Sequence, residues 1–305
     1  MSSVSKPNDL PKCNFPSCKT VCKHEDNTNE ESIESLEANG RVDVSWVQKW
    51  EPKTLPEHFS MLICARRRSG KTHLVEHFLK DIKDRFDTAY LFSETAYLQD
   101  CYQFIPKDNR YNFFDEDTIL KILDRQERLI INNKKLPKEF QTDKNVLIIL
   151  DDVINDPKVR KSSVLNKIFI SGRHVRISII ILSQTISSRF SFPSVILTNC
   201  DIGVFFDIHD FYSRETATER FLSIINKKEG MKLLNSVTSS EKFCAIVCDI
   251  SKQNIQTYSD YVYKIVAPAK NKKFTIGKND KTVSKKKGIN IISLSDANPR
   301  GFKLT

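Results

Sequence analysis

The chain has 305 residues, of which 39% are hydrophobic and 28% charged, and its formal net charge is +10. This composition is typical of a water-soluble globular protein, and no apolar run approaches the roughly 20 residues that span a bilayer. The first residues are polar and contain no apolar core of a secretory signal. We therefore expect an intracellular protein with no membrane partner.

Residues 1–40 form a polar leader that contains a group of metal-binding residue types. Three cysteines and a histidine lie within twelve positions: Cys13, Cys18, Cys22 and His24. Three thiolates and an imidazole could hold Zn²⁺ tetrahedrally, although the spacing is not that of a standard zinc knuckle. The alternative is an unstructured leader with free thiols, followed by an acidic linker over residues 25–37.

The remaining cysteines are expected to be reduced and buried. Cys64, Cys101, Cys200, Cys244 and Cys248 lie in or beside apolar stretches. An intracellular protein keeps such thiols reduced, and a free thiol packs as a small apolar group. A disulfide framework is therefore not expected.

Residues 65–72 have the spacing of a phosphate-binding P-loop, with Ala65 where the first glycine of the motif normally stands. In such a loop, backbone N–H groups surround the phosphates, the lysine reaches the β- and γ-phosphates and the final hydroxyl binds Mg²⁺. The apolar run 59–64 predicts a strand before the loop, and apolar residues at helical spacing predict a helix over 73–82. The alternative is a basic turn before a surface helix. The predicted nucleotide-binding residues are Ala65, Arg66, Arg67, Arg68, Ser69, Gly70, Lys71 and Thr72.

Further strands and helices alternate along the chain. Apolar runs predict strands over 88–93, 145–150, 176–182, 202–206, 242–248 and 258–266, and helical periodicity predicts helices over 117–131, 158–171 and 213–225. Alternation of this kind indicates an α/β protein with a mainly parallel central sheet flanked by helices. We expect one P-loop domain over 41–266 and a basic tail over 267–305.

The strand predicted over 145–150 ends in a pair of acidic residues, Asp151 and Asp152. One carboxylate can hold the hydrated Mg²⁺ and its neighbour can polarise the attacking water. We assign Asp151 to the metal, together with Thr72, and Asp152 to the water. The alternative is a helix N-cap or a turn, which acidic residues also favour.

Gln184 ends the strand that follows the acidic pair. If this strand lies between the P-loop strand and the acidic strand, its amide can sense the γ-phosphate or position water. The alternative role of Gln184 is to cap the next helix.

Arg173 precedes the same strand and is our choice for an arginine finger offered across a subunit interface, with Arg176 and Arg189 as rivals. An arginine finger would require an oligomer with shared sites. The alternative is that all three are ordinary surface arginines.

The C-terminal part of the chain is strongly basic. Residues 264–305 hold eleven Lys and Arg against two Asp, a balance of +9. Such a surplus is expected of a chain that binds a phosphate-rich partner. The alternative is a solvated tail or a localisation signal around residues 285–287.

Four segments together resemble a known family: 67–72, 149–152, 171–174 and 179–185. They are similar to the poxvirus-type genome-packaging ATPases of nucleocytoplasmic large DNA viruses and their virophages, within the FtsK–HerA superfamily of P-loop NTPases. The chain departs from that pattern at Ala65 and at Asp152, where the superfamily usually has glutamate.

The resemblance implies a RecA-like P-loop NTPase of the additional-strand type. It also implies a homo-oligomeric ring that uses ATP and Mg²⁺ to move double-stranded DNA into a preformed capsid, with a capsid or portal-vertex protein as partner. The expected location is the virus assembly site in the host cytoplasm, and also the virion.

Two other functions remain open on the sequence. One is a helicase or another oligomeric DNA-dependent ATPase, and the other is a nucleotide-gated switch or scaffold with little turnover. The acidic pair and Gln184 favour hydrolysis over a switch, and we find no aromatic-rich platform for single-stranded DNA.

Overall fold

A computed structural model describes residues 42–97, 102–187, 192–223, 226–269 and 273–278. The leader with its four candidate zinc ligands, Arg189 and most of the basic tail lie outside these residues. The described part contains one eight-stranded sheet. Its strands are β1 Ser60–Cys64, β2 Thr88–Ser93, β3 Arg110–Tyr111, β4 Val146–Asp151, β5 Ile177–Ser183, β6 Ile202–Phe205, β7 Cys244–Asp249 and β8 Val262–Val266.

The strand order is β3-β2-β4-β5-β1-β6-β7-β8. Strands β1 to β6 are parallel, β7 runs antiparallel to β6, and β8 runs antiparallel to β7. Strand β5 pairs with both β4 and β1. The expected α/β fold is therefore confirmed, and it includes the extra strand between the P-loop strand and the acidic strand.

Helices cover both faces of the sheet. They are α1 Lys71–Ile82, α2 Glu116–Asn133, α3 Pro157–Arg160, α4 Ser163–Ser171, α5 Ser194–Thr198, α6 Phe211–Ala217 and α7 Lys227–Thr238. Successive residues of each central strand enter opposite core layers, as in β1, where Met61 and Ile63 pack with α1 and Leu62 and Cys64 pack on the other face. This alternation explains why these strands are apolar throughout.

Three predicted elements differ from the structure. The helix predicted over 158–171 is broken in two, because the Ser162 side chain caps α4 by accepting a hydrogen bond from the Leu165 N–H (3.1 Å). Helix α6 ends at Ala217 and continues as a π-helical turn, Thr218–Leu222. The last strand begins at Val262, since the preceding Tyr258–Asp260 forms a 3₁₀ turn. The short α5 and β3 and the amphipathic α7 were not predicted.

The described cysteines agree with the sequence expectation. Cys64, Cys200, Cys244 and Cys248 are free and buried, and burial raises the pKa of the Cys64 thiol to about 12. Cys101 lies outside the described residues. Within the described ranges, no helix is long and apolar enough to cross a membrane.

Residues 273–278, here called the C-terminal segment, pack on the body of the protein. The Phe274 ring stacks on Phe104 with 5.1 Å between centroids. Ile276 is fully buried, and its N–H donates to the Phe104 carbonyl (2.8 Å). The sequence interpretation assigned this segment to the basic tail. Its packing instead makes it part of the globular body, because a buried isoleucine cannot be removed without exposing core.

Candidate functional site

The P-loop connects β1 to α1 along the path that its sequence predicts. Gly70 is the N-cap residue of α1 and has a φ of +91°. A Cβ at Gly70 would lie 3.0 Å from the Ala267 Cβ, so both the backbone conformation and the lack of space require glycine. Ala65 is fully buried, and its N–H donates to the Ser183 carbonyl (3.0 Å). Its methyl group therefore packs in the core, and alanine fits where the motif usually has glycine.

The register of the sheet brings the other predicted residues to the P-loop. Ser93 pairs with Asp151, Asp151 with Leu182, and Cys64 with Ser183. The carboxyl ends of β2, β4, β5 and β1 thus meet at one edge of the sheet, where ligands bind in parallel α/β sheets. A cleft of about 680 Å³ opens there. Its lining includes Arg66, Arg67, Arg68, Gly70, Lys71, Thr72, Asp151, Asp152 and Gln184.

Lys71 lies at the centre of this cleft. Its Nζ is 2.8 Å from Asp152 Oδ1 and 3.3 Å from Asp151 Oδ1. Asp152 has a φ of +55°, and its Oδ2 accepts a hydrogen bond from Gln184 Nε2 (3.1 Å). A triphosphate would offer Lys71 a stronger anionic partner, and its release from Asp152 would free that carboxylate.

Asp151 is buried at the base of the cleft, with an exposed fraction of 5%. Burial raises the pKa of its carboxyl, while the Lys71 ammonium and the Tyr102 hydroxyl oppose that rise. The Tyr102 hydroxyl donates to Asp151 Oδ2 (2.6 Å). Among the described residues, the Lys71 ammonium at 3.3 Å is the charged partner of Oδ1, and no group donates a well-aligned hydrogen bond to it.

A buried carboxylate oxygen that keeps lone pairs free beside its ion pair is suited to bind a hydrated cation. Thr72 lines the same cleft and can supply a hydroxyl. Mg²⁺ held by Thr72 and Asp151 would neutralise charge on the phosphates. Among the described residues, no cluster of three or more His, Cys, Asp or Glu forms a separate metal site.

The sequence interpretation missed two groups of residues. Ser93, Glu94 and Thr95 follow β2 and line the cleft. Glu94 is exposed and is a second carboxylate that could polarise water. The sequence held a signal for it, since polar residues that follow a parallel strand beside the acidic strand must reach the same edge. Tyr102 carried no such signal, because it lies in a loop far from either motif.

The candidate arginine finger lies away from the cleft. Arg173 precedes β5 and lines a cavity of about 220 Å³ at the amino ends of β1, β5 and β6. It is therefore at the amino edge of the sheet, and β5 separates it from Gln184 by about 20 Å. Its rival Arg176 is paired with Asp143 at that edge. Neither arginine can reach the cleft of its own chain.

Comparison with known proteins identifies the family. Residues 49–291 match the profile of the family described as Poxvirus A32 protein. The chain belongs to this family. The match covers the P-loop, the acidic pair, Arg173 and Gln184, and it confirms the resemblance drawn from the sequence. No curated protein matches this A32-family chain.

Several solved structures are similar in backbone fold. The genome-packaging NTPase B204 from Sulfolobus turreted icosahedral virus 2 with ATP-gammaS has a TM-score of 0.47 and 12% identity, over 70% of this chain and all of B204. The pCW3 conjugation coupling protein TcpA with ATPgS has a TM-score of 0.45 and 12% identity, over 68% of this chain and 65% of TcpA. The cytoplasmic domain of the Thermomonospora curvata type VII secretion ATPase EccC has a TM-score of 0.42 and 8% identity, over 69% of this chain and 25% of EccC.

Proposed function

We propose that this protein is an ATP-hydrolysing motor that moves double-stranded viral DNA into a preformed capsid. One observation carries the proposal: Lys71, Asp151, Asp152 and Gln184 meet in a single cleft beside the N-terminus of α1. A site that only bound a magnesium nucleotide would need the P-loop and one carboxylate for the metal, but not a second carboxylate and an amide beside it. Membership of the A32 family supports the same function.

Each residue has a distinct task in this proposal. The N–H groups of the loop and the N-terminus of α1 bind the phosphates, and Lys71 neutralises the β- and γ-phosphates. Asp151 and Thr72 hold Mg²⁺. Asp152 accepts a proton from the attacking water, and Gln184 orients that water against the γ-phosphate.

Glu94 is the rival of Asp152 for the task of activating water. Asp152→Asn and Glu94→Gln are matched replacements, because each removes one charge and keeps the shape. If Asp152 is the base, we expect Asp152→Asn to lower turnover by about 100-fold or more and Glu94→Gln by less than about 10-fold. The reverse ranking in single-turnover ATP hydrolysis would transfer the role to Glu94.

Oligomerisation into a ring is part of the proposal, because Arg173 can reach a nucleotide only on a neighbouring subunit. Arg173→Ala and Lys71→Ala subunits should each be inactive alone. Mixed, they should recover part of the activity, since an intact P-loop then meets an intact arginine. A mixture as inactive as its components would contradict the role of Arg173 as the arginine finger. Mixing Arg189→Ala with Lys71→Ala in the same way would test Arg189 for that role.

The main experiment measures ATP turnover with and without duplex DNA, beside the mass of the oligomer. We expect duplex DNA to stimulate the wild type, Lys71→Ala to abolish turnover, and Lys80→Ala, which removes a charge from the last turn of the same helix, to change nothing. A wild type that does not turn over ATP, even when oligomerised on duplex DNA, would contradict the motor. Separation of a tailed duplex would instead favour a helicase.

Packaging and zinc binding need their own measurements. Encapsidated DNA should be absent from virus assembled with Lys71→Ala and present with Lys80→Ala. The proposed capsid or portal-vertex partner should co-purify with the wild type.

Zinc in the purified full-length chain should reach about one ion per chain if Cys13, Cys18, Cys22 and His24 form a site. A lower content would remove that site.

A further inference from the structure

Phe243 is a partly exposed aromatic residue in an unfavourable backbone conformation. It directly precedes β7, 40% of its surface is accessible, and its φ is +63°. A bulky residue at positive φ is uncommon and costs free energy. Because 40% of its surface stays accessible, burial alone does not account for a phenylalanine at this strained position.

The fold fixes Phe243 against the P-loop. Because β7 runs antiparallel to β6, its first residue lies at the same edge of the sheet as the carboxyl ends of β1 and β6. The Phe243 carbonyl accepts a hydrogen bond from the Ala267 N–H (3.0 Å), which joins the turn before β7 to the end of β8. The ring edge lies 3.7 Å from the Cβ position of Gly70, the N-cap of α1.

The position of Phe243 relative to Asp151, Asp152 and Gln184 indicates which way a bound nucleotide lies along the P-loop. Asp151, Asp152 and Gln184 lie at the carboxyl ends of β4 and β5, on one side of β1, and under the proposed function they mark where the γ-phosphate lies. Phe243 lies on the other side of β1, beyond β6. A nucleotide whose phosphates follow the loop therefore has its base on the side of Phe243, away from the carboxylates.

We infer that the Phe243 ring is the platform on which the base of the nucleoside triphosphate stacks. The inference rests on the proposed function, since it assumes a triphosphate at the P-loop. The ring already makes one π contact, because Lys242 Nζ lies 5.1 Å from its centroid. The flexible Lys242 side chain can move aside and leave the ring face to a planar base. Stacking does not read the edge of the base, so the platform serves ATP and GTP alike.

The test separates binding of the base from binding of the phosphates. Equilibrium binding of ATP, GTP and inorganic tripolyphosphate, each with Mg²⁺, is measured for the wild type and for Phe243→Ala. We expect Phe243→Ala to weaken both nucleotides by roughly 5- to 100-fold and to leave tripolyphosphate binding within about 2-fold of the wild type. Phe243→Tyr, which keeps the aromatic face, should bind all three ligands as the wild type does.

Two further variants control for nonspecific effects and for misfolding of Phe243→Ala. Phe140→Ala removes a more exposed phenyl group before β4, at the other edge of the sheet, and should change no affinity. If Phe243→Ala folds poorly, Phe243→Asn provides a second test, since asparagine accepts positive φ. Equal weakening of ATP and tripolyphosphate would make Phe243 a support of the P-loop, and unchanged ATP binding would also overturn the inference. A wild type that binds neither ligand would contradict the proposed function itself.

Discussion

The end of the cleft proposed to hold the γ-phosphate, here called the γ-phosphate end, and the C-terminal segment are built from different kinds of contact. At the γ-phosphate end, Asp151 is the last residue of β4, Asp152 and Gln184 directly follow β4 and β5, and the register of the sheet brings them together. The C-terminal segment is held by side chains distant in sequence: Phe274 on Phe104, and Ile276 in the core. The ends of β4 and β5 position Asp151, Asp152 and Gln184. Packing between residues distant in sequence positions the loop whose tyrosine orients Asp151.

The two regions are connected through one loop. The Phe104 ring lies 5.1 Å from Phe274 and 6.0 Å from Tyr102, and the Tyr102 hydroxyl donates to Asp151. The C-terminal segment therefore supports the loop that orients the Asp151 carboxylate. Variants at the γ-phosphate end should change chemistry without changing stability. Variants of the C-terminal segment should lower stability with little effect on the chemistry. A Tyr102 variant should have an intermediate effect on the chemistry.

The largest effect on chemistry is expected from Asp151→Asn. Loss of the carboxylate removes a Mg²⁺ ligand, so turnover should fall by at least about 100-fold. The midpoint of thermal unfolding should stay near that of the wild type, because the neutral amide avoids the cost of a buried charge. Turnover and thermal unfolding measure the two effects. A variant that keeps turnover would show that Asp151 holds no catalytic metal.

The largest effect on stability is expected from Gly277→Ala. Gly277 has a φ of +67°, and a Cβ there would lie 2.7 Å from the Asp87 carbonyl oxygen. Strain and overlap should lower the free energy of unfolding by about 2–3 kcal/mol. Thermal unfolding should show the loss, whereas Thr275→Ala, at an exposed neighbour, should show none. An unchanged midpoint for Gly277→Ala would mean that the segment does not stabilise the body.

Tyr102→Phe should have an intermediate effect on chemistry that depends on pH. Its hydroxyl stabilises the ionised Asp151, so its removal raises further a pKa that burial already raises. The acid limb of the turnover profile should therefore move to higher pH, and turnover at neutral pH should fall by about 10-fold. Tyr97→Phe, which removes an exposed hydroxyl bonded to the Arg110 carbonyl, is the matched control. An unmoved acid limb would contradict the orienting role of Tyr102.

The smallest effect on hydrolysis is expected from truncation after Lys278. The removed residues carry six Lys and Arg against two Asp. Basal turnover should be kept, DNA affinity should weaken, and the slope of log affinity against log salt should flatten by up to about 5. Truncation after Val266 should also destabilise the body, because it removes the C-terminal segment. An unchanged salt slope after truncation at Lys278 would contradict DNA binding by the tail and favour a solvated extension or a localisation signal.

The sequence predicted those parts of the site that follow directly from local pattern. The P-loop, Asp151, Asp152 and Gln184 were found because each motif immediately follows a strand, and parallel strands end at the same edge. The break at Ser162 was missed because a capping serine inside an apolar pattern resembles an ordinary helical position. Arg173 was recognised as a motif residue, but its distance from the cleft follows only from the course of β5.

By itself, the sequence determined the fold class, most of the central strands, and the P-loop, acidic pair and Gln184 that line one cleft, because periodicity and spacing are local. Only the tertiary structure decided how Asp151 is oriented, which aromatic ring lies beside the P-loop, and that residues 273–278 belong to the body. Tyr102, Phe243 and Ile276 act through partners far away in the chain. Such contacts depend on how the finished sheet brings its edges and loops together, and no local pattern records them.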